Sequence, residues 1–115
     1  MSKTDWKKIL IPTDFSEGSR EALPYAIGAA RETGAELTLV HVVHPLPRAE
    51  LLAFGVILEE KFLMQEAQKQ LTKFRQREVP AGIPGAAVVM SGNPWQEITR
   101  LAAEGEFDLI VTATH

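Results

Sequence analysis

An alternation of two patterns constrains the 115-residue sequence most tightly. Short runs that are apolar at every position are separated by longer stretches whose apolar residues recur every three or four places. Ile9-Leu10-Ile11 opens the series, as a strand covered on both faces would. After Pro12-Thr13-Asp14 comes a helical stretch with Ser16 or Ser19 as N-cap and Ala22, Leu23, Ala26, Ile27 and Ala30 as its buried stripe. Gly34 sits where a C′ glycine ends a helix, and Pro24 inside it predicts a kink. Leu37 to Val43 is a second strand, closed by Pro45 and Pro47.

From about Glu50 to Glu78 the period is helical again. Leu51, Phe54, Leu58 and Phe62 form one stripe; Leu63, Ala67, Leu71 and Phe74 form a neighbouring one, with charged residues between. A loop rich in proline and glycine leads to a strand over Ala86 to Met90. Asn93 as cap, Pro94 at the first helical position and Gln96 as capping-box partner start a third helix. Trp95, Ile98, Leu101 and Ala102 give its expected buried stripe and Gly105 its end, before a fourth strand from Phe107 to Ala113. The order β-α-β-α-β-α-β predicts an α/β fold: a parallel sheet with helices on both faces and right-handed crossovers.

Size and composition narrow the function. The length suits a single domain over 1–115. There is no cysteine, which removes disulfides and thiolate metal sites. Twelve basic against 15 acidic residues, with no basic block, argue against nucleic acid as a partner. No apolar run approaches the ~20 residues that span a bilayer, and the opening MSKTDWKK is polar, so no membrane association and a cytoplasmic location are expected.

In such sheets ligands sit beyond the carboxyl ends of the strands. Three places there carry candidate chemistry. Asp14, at the exit of the first strand, offers two acceptor oxygens that suit ribose hydroxyls; equally, Asp is a common turn residue that caps the adjoining turn or helix. His41 and His44, at the tip of the second strand, are three apart and point to opposite faces, so they cannot grip one ion, and no metal is expected. The backbone of Val42 and Val43 beside them could read an adenine edge. Ser91-Gly92-Asn93-Pro94 opens a helix; such amides hold anions, but every capped helix has them. The sequence lacks G-x-G-x-x-G, G-x-x-x-x-G-K-[ST] and G-x-S-x-G, and the third strand ends in Val89-Met90-Ser91 rather than the Asp of a phospho-acceptor domain. No residue reads as a catalytic base, nucleophile or metal ligand, so an enzyme is not expected.

Several segments, taken in order, resemble the universal stress proteins. They are Lys7 to Ser16; Ser19 with Ala22-Leu23 and Ala26; Ala35 to Val43; Gly92-Asn93-Pro94 with Glu97-Ile98; and Phe107 to His115. The resemblance covers the whole chain. It implies a Rossmann-like fold with strand order 3-2-1-4-5, commonly a homodimer, and in many members ATP as ligand. It also implies a nucleotide site built on Pro12, Thr13 and Asp14 for ribose and on the backbone of Val42 or Val43 for adenine. The family's phosphate-binding loop, G-x-x-G-x9-G-[ST], begins just after the position of His115, so Thr114 and His115 complete the implied set. The sequence ends before that loop, the fifth strand and the last helix. The expectation is therefore a sheet of order 3-2-1-4, incomplete at the C-terminus, with an adenosine half-site and a weakened hold on ATP. The fourth strand would then be an edge that favours self-association. The alternative within the same family is a dimerisation or interaction module that binds no nucleotide.

Overall fold

The computed structural model describes residues 6–15, 17–43 and 60–112. Its elements are β1 (Lys8–Pro12), α1 (Glu17–Thr33), β2 (Glu36–Val43), α2 (Glu60–Glu78), β3 (Ala87–Ser91), α3 (Pro94–Glu104) and β4 (Leu109–Ile110). The strands form one parallel sheet in the order β3-β2-β1-β4. This is the predicted α/β architecture and strand order. The first part of the expected second helix, the candidate cap Ser16, and His44, Thr114 and His115 lie outside the described residues.

The all-apolar strands are explained by two cores. Ile9 and Ile11, on alternate positions of β1, join Leu37 and Leu39 of β2 under α1 and α2, with Ala22, Leu23, Ala26, Leu71 and Phe74. Leu10 points the other way and meets Val40 and Ile98, with Leu101, Ala102 and Phe107 packed around them beneath α3. Ile9, Leu10 and Ile11 are all essentially inaccessible, and burying one such side chain contributes about 1.5–3 kcal/mol. A polar residue anywhere in this run would face one core or the other.

The helix ends match their sequence signals. Gly34 leaves α1 with φ 73° and donates its amide to Ala30 O at 2.8 Å. Asn93 caps α3, its side chain accepting the Gln96 amide at 3.2 Å. Helix α1 is assigned unbroken from Glu17 to Thr33 with Pro24 inside and exposed. Ser19 lies within α1 rather than capping it. Two expected core residues are on the surface: Phe62 is 52% exposed and Trp95 61%. Trp95 sits in the first turn of α3, on the edge of the stripe made by Ile98, Leu101 and Ala102. There the helix is only just leaving the end of β3.

The fourth strand is much shorter than Phe107 to Ala113. Phe107 is consumed by the end of α3, where its amide bonds Ala102 O at 2.9 Å while the Glu106 amide bonds Ala103 O. Those two bonds form a Schellman closure. Beyond it the Asp108 amide pairs with Lys8 O and the Val111 amide with Leu10 O, so β4 advances three residues against two of β1. The slip of one residue ends regular pairing at Ile110.

Candidate functional site

The sheet reverses direction at β1: α1 carries the chain toward β2, and α3 brings it back to β4 on the far side. The carboxyl ends of these strands leave a crevice of about 330 Å³ at that reversal. Pro12, Thr13 and Asp14 line it from β1, Val40, His41 and Val42 from β2, Pro94 and Ile98 from the start of α3, Ser19 from α1, and Thr112 from beyond β4. Larger hollows of about 420 to 540 Å³ run along α1 and below the sheet, but none gathers the ends of three strands. The crevice has apolar walls and a few polar groups, among which Asp14 is the only charged one. Small-molecule sites share that balance.

Local hydrogen bonds fix the turn that bears Asp14. The Thr13 amide extends the β1–β2 ladder by donating to Val40 O at 2.9 Å, and its hydroxyl oxygen accepts the Phe15 amide at 3.1 Å. The Thr13 carbonyl accepts from His41 Nδ1 at 2.8 Å; a carbonyl only accepts, so Nδ1 carries the proton. Thr13 is buried and Asp14 is exposed. The Asp14 amide donates to Ser19 Oγ at 3.2 Å, and that hydroxyl donates back to Asp14 Oδ1 at 2.5 Å. The reciprocal pair fixes the carboxylate against the first turn of α1, at the lip of the crevice. Phe15 then turns the chain with φ 67° and packs its ring on His41 and Phe74, at centroid distances of 4.8 and 5.7 Å.

The two valines differ. Leu37 and Leu39 donate their amides toward β3, whereas Val40 O faces β1. Along a strand these directions alternate. Val43 therefore faces β3, and its carbonyl accepts the Gly92 amide at 3.1 Å. Val42 faces the β1 side, where β1 has already ended at Pro12, and it lines the crevice. The start of α3 offers less than its sequence suggests. Asn93 takes the Gln96 and Glu97 amides with its side chain and carbonyl, and Gly92 gives its own amide to Val43. The half-buried Glu97 carboxylate, paired with Arg100, stands beside Gly92 and disfavours an anion there. Among the described residues no group of three or more His, Asp or Glu could hold a metal ion.

Pro12, Thr13, Asp14 and Val42 are thus brought together, Val43 is adjacent but paired elsewhere, and Thr114 and His115 lie outside the described residues. Sequence reasoning missed His41 and Ser19 as supports of Asp14. The only signal was their polarity at the top of the sheet, and His41 drew attention as a metal ligand instead.

Known proteins share this outline. The model of the universal stress protein family matches residues 5–115. The universal stress protein MJ0531 of Methanocaldococcus jannaschii is 36% identical over 110 residues, covering 95% of this chain and 65% of its own length. Its fellow MJ0577 is 26% identical, and the solved structure superposes with a TM-score of 0.72, covering 96% of this chain and 76% of that one. A universal stress protein solved in complex with cAMP is 21% identical and shares the fold with a TM-score of 0.60, over 93% of this chain and 75% of that one. The chain therefore spans about two thirds to four fifths of the relatives it matches.

Proposed function

The chain belongs to the universal stress protein family, a module of the stress response, and from that premise we propose that it binds an adenine nucleotide in the crevice at the strand ends and acts by regulation. The observation that carries the reading is Asp14: an exposed carboxylate at the switch point, held by Ser19 at the mouth of a crevice with apolar walls. In this reading Asp14 accepts the ribose hydroxyls, with Pro12 and Thr13 beside the sugar. Val42, whose backbone faces the gap above β1, meets the adenine edge, and Val43 supports it through its bond to Gly92. The family resemblance adds Thr114 and His115 to the set, and both lie outside the described residues. The stress protein solved with cAMP supports this ligand class.

The role is binding, not catalysis, and its place is the cytoplasm; among the described residues no helix is long and apolar enough to cross a membrane. The partner is a second copy of this chain, joined along β4. The hollow beside the outer edge of that strand, walled by Trp6, Tyr25 and Leu109, supports this association.

Calorimetry with adenosine, cAMP and ATP tests the site. Adenosine, cAMP and ATP are each expected to bind, and Asp14→Ala is expected to weaken each by about 1–3 kcal/mol, as loss of a charge-assisted acceptor does. No binding by any of the three, or an Asp14→Ala protein that binds as tightly as the wild type, would overturn the reading.

A further inference from the structure

Beside the bond between Asp14 and Ser19, the residues on either side of Asp14 converge on one imidazole. The Thr13 carbonyl accepts the His41 Nδ1 proton at 2.8 Å, and the Phe15 ring lies 4.8 Å from the His41 ring at a tilt of 49°. We propose that His41 is the positioning residue of the site, holding Asp14 toward the ligand by gripping the residue before it and the residue after it. The proposal rests on the nucleotide reading above for its ligand but on the turn alone for its geometry.

Both contacts bear on conformation. Phe15 has φ 67°, a strained state for an L-residue with a bulky side chain. It persists because its ring is wedged between His41 and the edge of Phe74. Thr13 is held on the other side by the Val40 carbonyl and by its own hydroxyl, so its carbonyl has one direction in which to point. His41 fills that direction. It can do so because β2 continues beyond Pro12, where β1 stops, leaving the half-buried imidazole level with the turn. Without the donor, a buried carbonyl loses its partner and the turn is free to rotate its peptide, carrying Asp14 with it.

The grip also selects a tautomer. The proton must reside on Nδ1, the less populated form for an imidazole in water, and Nε2 is left as the acceptor. Because Nδ1 donates in both charge states, the hold on Thr13 does not depend on protonation of the ring.

The test uses the full chain. Nitrogen-15 NMR of His41 reports the tautomer, and the Asp14 and Phe15 amide signals report the turn. His41→Phe keeps an aromatic ring against Phe15 and removes the donor; His41→Asn places an amide donor where Nδ1 stood. The expected results are an Nδ1-protonated ring in the wild type, about tenfold weaker adenosine binding in His41→Phe, and partial recovery of that loss in His41→Asn, which restores the donor to Thr13 without the ring against Phe15. In an Asp14→Ala background His41→Phe should cost nothing further, because there is no carboxylate left to position.

An Nε2-protonated ring, or losses from Asp14→Ala and His41→Phe that simply add, would overturn the proposal. If the wild type binds none of adenosine, cAMP or ATP, the proposed function fails. The tautomer and the displacement of the Asp14 and Phe15 signals in His41→Phe still decide whether His41 sets the turn.

Discussion

Phe15 and Glu106 both adopt positive φ, at 67° and 55°. Phe15 is compensated by its two ring contacts. Glu106 is exposed and occupies the left-handed position that closes α3, where glycine is the usual choice. Glycine relieves backbone strain but adds freedom to the unfolded chain, and the two effects leave a net gain where no side-chain contact is lost. Glu106→Gly is therefore expected to stabilise the fold by roughly 0.5–1 kcal/mol, while Phe15→Gly destabilises it; thermal unfolding of the two variants distinguishes the cases, and equal shifts would contradict the account. At this scale the sequence was legible where a residue's role is local. Gly34 and Asn93 announced their caps. Asp14 announced itself as a carboxylate at a strand exit. Its supports did not, because His41 lies 28 residues away from Thr13 and reaches the turn only through the register of β1 with β2.

Strands and helices were legible for different reasons. The helices carry their own periodicity and end signals, so α1 and α3 began and ended close to where those signals lie. Strand limits depend on a distant partner, and β4 shows the result: a strand from Phe107 to Ala113 was expected, and two residues pair regularly. The residue that anchors this strand is polar. Asp108 Oδ2 accepts the amides of Lys7 and Lys8 at 2.8 and 3.0 Å, clasping the entrance of β1. Those amides, with help from the two lysine charges and against a desolvation cost, hold its carboxyl below the usual carboxylate range. A group whose folded pKa is depressed adds stability above its unfolded value, about 3.9, and loses that contribution as pH falls through the lower folded value. Asp108→Asn is thus expected to be less stable than wild type at neutral pH, with the gap closing below about pH 4. Denaturant midpoints from neutral to strongly acidic pH measure it; a gap independent of pH would show that the clasp is not electrostatic.

The sheet as a whole has two edges, and they are treated differently. On the β3 side, Gln68 of α2 donates its side-chain amide to Ala87 O at 2.9 Å, capping a carbonyl that points away from β2. Such a cap blocks the docking of another strand. Among the described residues no side chain caps the outer backbone of β4, which instead adjoins a hollow of about 540 Å³ walled by Trp6, Tyr25, Ala29, Leu109 and Val111. Tyr25 stands 78% exposed on its rim. The proposed self-association is therefore assigned to β4. Light scattering should show mass rising with concentration for the wild type, and Tyr25→Lys should suppress the rise while leaving the unfolding midpoint nearly unchanged. A wild type that stays monomeric at high concentration would refute it.

The clasp between Asp108 and the start of β1 joins two strands that lie about a hundred residues apart in the chain. During synthesis β1 leaves the ribosome early, yet one flank of this central strand stays bare until β4 has emerged. Its isoleucines and leucine must wait beside a half-built layer, at a stage when chaperones have most to recognise. Closure of that layer is thereby tied to a segment translated long after the strand it protects.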